Sequence, residues 1–229
     1  MPKYIYFFGG GKADGNAAMK DLLGGKGAGV AEMTNAGTPV PPGFTITTQV
    51  CRMYYADRKG FPKDLTAQMA AQLERIGKLT GTGFGDADNP LLVSVRSGAK
   101  FSMPGMMDTI LNLGLNDVTV EGLARKTGNP RFAWDCYRRF IQMFSSVVLD
   151  LQKGVFEKEI AARKQAKGVQ NDTQLDVDDL KGLVERFKNL VRMHAGKDFP
   201  QEPMKQVVEA RDAVFRSWNN ERAVTYRNI

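Results

Sequence analysis

The chain has 229 residues, 42% of them hydrophobic, and 32 Lys plus Arg against 25 Asp plus Glu give a formal charge of +7. At about 150 residues per domain this makes one large domain or two small ones, with enough apolar material for a core; a disordered or collagen-like chain is excluded. Two cysteines, Cys51 and Cys136, and one histidine, His194, exclude a disulfide framework, a Cys-rich zinc site and a multi-histidine metal centre.

In chain order, residues 4–8 read as a strand that runs into Gly9-Gly10-Gly11, not as a targeting segment. No stretch approaches the roughly 20 consecutive apolar residues of a membrane span, so the cytoplasm is the expected compartment. Residues 26–35 read as a helix stopped by Gly37, and 38–43, with three prolines and a glycine, break regular structure before a strand at 44–48. An amphipathic helix is expected at 65–79 and a short buried strand at 91–95.

From about Val118 the pattern becomes helical. Asn129-Pro130 caps a helix on which Phe132, Cys136, Phe140, Phe144, Val147 and Leu151 recur at helical spacing. A solvated helix over 153–167 follows, then one capped by Asp176 that carries Leu180, Val184, Phe187 and Val191, and another over 203–218. The fold class is α+β: an amino-terminal subdomain over 1–117, a helical subdomain over 118–201, and the start of a further segment over 202–229.

Two segments carry candidate chemistry. Leu22-Leu23-Gly24-Gly25-Lys26-Gly27 puts a glycine-flanked lysine at a helix entrance, where exposed amides, the positive helix end and the ammonium suit a phosphate. It is not a P-loop, because Lys26 is followed by Gly27 and not by Ser or Thr, and Lys12 by Ala13. A flexible turn with a solvated lysine reads equally well. Val93-Ser94-Val95-Arg96-Ser97-Gly98 delivers an arginine, a hydroxyl and a glycine at a strand end, where Arg96 could fork onto phosphate oxygens or pair with a carboxylate. Met103, Met106 and Met107 in the next loop could line an apolar slot or fill core gaps. His194, Cys51 and Cys136 read as structural, and the basic residues of 153–167 alternate with acidic ones as on a solvated face, so neither nucleic acid nor membrane is an expected partner.

These blocks, with Pro41-Pro42-Gly43-Phe44-Thr45-Ile46-Thr47-Thr48, Met103-Pro104-Gly105-Met106-Met107-Asp108-Thr109, Leu111-Asn112-Leu113-Gly114-Leu115-Asn116, Tyr137-Arg138-Arg139-Phe140 and Phe215-Arg216-Ser217-Trp218, resemble the amino terminus of the pyruvate, phosphate dikinase family along essentially the whole chain. The resemblance implies an ATP-grasp nucleotide-binding lobe. It also implies an enzyme that interconverts ATP, phosphate and pyruvate with AMP, pyrophosphate and phosphoenolpyruvate through a phosphohistidine, using Mg2+ and a monovalent cation, as a homodimer.

The family's ATP-contacting lysine and arginine correspond to Lys26 and Arg96, with Gly25, Gly27, Ser97, Gly98, Lys100, Asp108 and Thr109 as further nucleotide-loop candidates. Lys100 and Phe101 depart from the family's Arg and Ala, which removes a bidentate contact. Family members are several times longer, and the carrier histidine and magnesium carboxylates are expected outside this chain. It is therefore expected to hold half of an ATP site and to be inactive alone. The rival readings are a lobe of a water-using dikinase and a non-catalytic basic binding module.

Overall fold

A computed structural model describes residues 2–56, 60–97 and 109–227. In chain order these hold β1 (Ile5–Gly9), β2 (Lys12–Ala13), α1 (Lys20–Asn35), β3 (Gly43–Ile46), α2 (Thr48–Ala56), α3 (Leu65–Thr80) and β4 (Val93–Arg96). There follow β5 (Thr109–Leu113), α4 (Thr119–Thr127), α5 (Pro130–Val147), α6 (Lys153–Lys167), α7 (Val177–Ala195), α8 (Pro203–Ser217) and α9 (Glu221–Arg227). The architecture is α+β. Two compact units divide it, one of Met1–Thr82, Arg96–Asp108 and Val214–Ile229, the other of Gly83–Val95 and Thr109–Ala213.

The first unit is built on an antiparallel sheet in the order β2-β1-β3. Gly10 and Gly11, at φ 63° and 79°, form the two-residue turn between the paired Gly9 and Lys12. Both positive φ values are what a type I′ hairpin needs, so the glycine run is a turn. Tyr6 pairs with Thr45 and Phe7 with Phe44 across β1 and β3. Ile5 and Phe7 are buried, as are Leu23, Ala28 and Ala31 of α1 and Leu65, Met69, Leu73 and Ile76 of α3. The strand expected at 44–48 ends at Ile46. Thr47 is buried, with its N–H on Tyr4 O, and α2 starts at Thr48 with Val50 and Tyr54 on its inner face.

The second unit is mostly helical. Asn129 caps α5 by accepting the Phe132 N–H at 3.0 Å, with Pro130 in the first turn as its sequence implies. Phe140, Phe144 and Phe199 meet edge to face, and Phe156 of α6 meets Phe187 of α7 at 4.9 Å. The expected helices of 153–167 and 203–218 are α6 and α8, the latter ending at Ser217. Short α4 and α9, and strand β5, were not anticipated: nine-, seven- and five-residue segments hold too few periods to stand out.

At the start of α7, Asp176 and Asp179 cap each other's backbone N–H groups at 2.9 and 3.0 Å. The Asp179 carboxylate, 3% exposed, also accepts from Arg163 at 2.6 Å and from Lys167, joining α6 to α7. Burial opposes its charge, but the bonds from Lys167, the Asp176 N–H and Arg163 outweigh this and hold its pKa at about 2, below the ordinary 3.8. A depressed carboxyl stabilises the fold above the unfolded value and stops doing so as the pH falls through the folded one. The melting midpoint should therefore drop between about pH 4 and pH 2, and Asp179→Asn should flatten that part of the profile. A variant with the wild-type slope would rule the contribution out.

Candidate functional site

Lys26 owes its position to a break in α1. Gly24 stands at φ 71°, ψ 170°, a conformation essentially reserved for glycine, so the helical stretch 20–23 ends and a new one runs over 25–35. A helix restarting at Gly25 places Lys26 in its first turn, at the positive end of the new helix dipole. Lys26 is exposed, Gly25 half-buried and Gly27 buried. The expected helix entrance is therefore present, although α1 as a whole begins six residues earlier, at Lys20.

Side chains outside the glycine motif hold this turn. Thr48 Oγ1, at the start of α2, donates to the Asp21 carbonyl at 2.6 Å. From later in α1, Glu32 Oε2 accepts the Ala17 N–H, and Asn35 accepts from Ala13 while donating to Gly15 O, each at 2.9 Å. The segment before the break is thus laced to the helix after it. None of these residues has a sequence signal that separates it from an ordinary strand or helix position.

Arg96 is the last residue of β4. Val93 and Val95 are half-buried while Ser94 and Arg96 are exposed, the alternation of a strand with one covered face. Ser97, next in the chain, is buried at 7% exposure. Lys26, Arg96 and Ser97 belong to the same compact unit, and Thr109, the first residue of β5, to the other. Gly98, Lys100 and Asp108, with Phe101 and the three loop methionines, lie outside the described residues.

The remaining candidates are structural. His194 is exposed on the last turn of α7, one residue before Ala195 and two before the left-handed Gly196 cap. Cys136 is partly buried, and burial followed by the Asp135 charge pushes its thiol above the ordinary range, the reverse of an activated nucleophile. Among the described residues no group of three or more His, Cys, Asp or Glu could hold a metal ion. No described helix is long and apolar enough to cross a membrane.

The turn at Gly24–Lys26 and the strand end at Arg96 both lie within the stretches that a family model matches. The family model for the pyruvate phosphate dikinase AMP/ATP-binding domain matches residues 20–60 and 56–229. The chain belongs to this family.

Its similarity to pyruvate, phosphate dikinase of Clostridium symbiosum is 55% identity over 230 residues, all of this chain and 26% of the relative. The Rhizobium meliloti (strain 1021) pyruvate, phosphate dikinase is 48% identical, again over the whole chain and 26% of the relative. Pyruvate, phosphate dikinase 1, chloroplastic, of Oryza sativa subsp. japonica is 50% identical over 99% of the chain and 24% of its own length. The chain thus spans about a quarter of these dikinases.

Proposed function

We propose that this chain forms one wall of the ATP site of a pyruvate, phosphate dikinase, with an ATP-grasp lobe. The reading rests above all on one observation: Gly24 breaks α1 so that Lys26 stands exposed on the first turn of a new helix, inside a domain of the dikinase AMP/ATP-binding family. In this reading Lys26 places a compact charge at the positive end of the restarted helix. Arg96, exposed at the end of β4, offers a planar fork of N–H donors, and together they neutralise part of the polyphosphate. Gly25, half-buried beside the lysine, contributes backbone.

The whole enzyme would interconvert ATP, phosphate and pyruvate with AMP, pyrophosphate and phosphoenolpyruvate through a phosphohistidine borne elsewhere. It would act as a cytoplasmic homodimer with Mg2+ and a monovalent cation. What these residues do is bind and orient. Alone they should not turn ATP over, and pyrophosphate formed from ATP and phosphate by the 229-residue chain would refute that.

Calorimetry of ATP binding with magnesium, at two salt concentrations, tests the site. Lys26→Ala and Arg96→Ala should each weaken binding by at least about tenfold, or 1.4 kcal/mol. Wild-type affinity in both variants would overturn the assignment. Steeply salt-dependent binding to DNA without any ATP effect would favour a basic binding module instead.

A further inference from the structure

We propose that Gly27 and Thr45 form a positioning pair that fixes the depth at which the lysine-bearing turn of α1 sits on the sheet, and through it where the Lys26 ammonium meets the polyphosphate. The inference rests on the reading of Lys26 as a phosphate ligand. It assigns Gly27 a task other than contact with nucleotide, and it brings in a strand residue that the glycine motif does not contain.

Gly27 is buried, and a β-carbon built on it would lie 2.8 Å from Thr45 Cγ2, 2.9 Å from Thr45 Oγ1 and 3.2 Å from Leu23 Cβ. The helix backbone therefore nests between the two branches of one threonine. Because these branches stand at nearly equal distances, a 120° turn about χ1 withdraws one of them and leaves the other in place, so a rotamer change does not make room. The strand cannot easily retreat either, since Thr45 is paired with Tyr6 in the ladder between β1 and β3.

The lysine lies between this contact and two other fixed points. On its amino-terminal side are the glycine-only backbone of Gly24 and the bond from Thr48 Oγ1 to Asp21 O. On its carboxyl-terminal side Gly27 is the next residue. A side chain at position 27 must lift the first turn of the restarted helix away from β3, and Lys26 moves with it. A displacement of that kind moves the ammonium relative to the polyphosphate, and the higher helix propensity of alanine offsets part of its cost to the fold.

The experiment compares the wild-type chain with Gly27→Ala, Thr45→Ala, the double variant and Lys26→Ala, reading the ATP dissociation constant by calorimetry and the melting midpoint. Gly27→Ala should bind ATP about tenfold more weakly, the equivalent of 1.4 kcal/mol. The added Thr45→Ala, which removes both branches, should restore binding to within about threefold of wild type. Thr45→Ile applies the same push from the strand side and should weaken binding likewise, which keeps the test open if Gly27→Ala fails to fold.

A merely structural contact would lower the melting midpoint and leave the affinity of the folded protein unchanged; that result, or a loss in Gly27→Ala that Thr45→Ala does not restore, overturns the pair. Unchanged ATP binding by Lys26→Ala, or none by the wild-type chain, fails the reading of the site itself and is told apart by that one comparison.

Discussion

Gln206→Leu is expected to destabilise the protein by about 4 kcal/mol, the sum of three buried groups that lose a partner at about 1–3 kcal/mol each, less what the apolar side chain returns. The Gln206 side chain is fully buried. Its Oε1 accepts the Gly114 N–H at 2.9 Å, and its Nε2 donates to Leu115 O and Pro200 O, both at 2.8 Å. One amide thus ties the end of β5 and the approach to α8 together. The turn it clamps is unusual, with Asn112 at φ 62° and Gly114 at φ 107°, and it feeds the Asn116 side chain that accepts the Val118 and Thr119 N–H groups at the start of α4.

For a chain of this length the loss corresponds to a fall of roughly 8–16 °C in melting midpoint. Gln206→Glu, which keeps an acceptor for Gly114 but sets a carboxylate oxygen against the Leu115 and Pro200 carbonyls in a buried site, should fall at least as far as leucine. A leucine variant within about 2 °C of wild type would mean that water replaces the amide.

The second large effect is expected at Gly122 in α4. A β-carbon there would lie 2.1 Å from Ala87 O, 2.8 Å from Ala87 C and 3.3 Å from Asp88 Cα, all of them backbone atoms. The loop they belong to is braced by Leu91 N–H to Gly83 O at 2.7 Å and by Asp86 Oδ1, which accepts the Asp88 and Asn89 N–H groups. Arg125, three residues along α4, also binds Ala87 O at 3.0 Å and Asp88 at 2.6 Å.

Gly122→Ala therefore has to part helix from loop and should cost about 3 kcal/mol, or roughly 6–12 °C, despite the helix propensity of alanine. Gly182 in α7, exposed and with no atom within 4 Å of its would-be β-carbon, is the control. Alanine there should raise stability by about 1 kcal/mol. Equal responses at the two glycines would show that the loop yields to the added methyl.

Three glycines around Lys26 mark how far the candidate site was legible. Gly24, Gly25 and Gly27 look alike as letters around Lys26, and a phosphate-cradling role for such a cluster is a fair expectation from backbone freedom and helix polarity. Their coordinates separate them. Gly24 supplies a backbone conformation, Gly27 supplies an absence of volume against Thr45, and Gly25, half-buried, opens the restarted helix. Arg96 was readable because a strand end is a local event. Thr45, Thr48, Glu32 and Asn35 were not, because their partners lie 18, 27, 15 and 20–22 residues away in the chain: Gly27, Asp21, Ala17 and the pair Gly15 and Ala13.

What the sequence determined by itself is local or collective. The Asn129 and Asp176 caps, the helical periods of α5 and α7 and the α+β class follow from i to i+4 chemistry, and family membership is carried by many residues at once. The tertiary structure decided the rest. It cut the expected strand at Ile46 so that Thr48 could hold the turn before Lys26, and divided the chain into two units that are each discontinuous in sequence. Such choices depend on which distant surfaces meet, and contacts across long chain separations leave no period or spacing by which a single sequence could announce them.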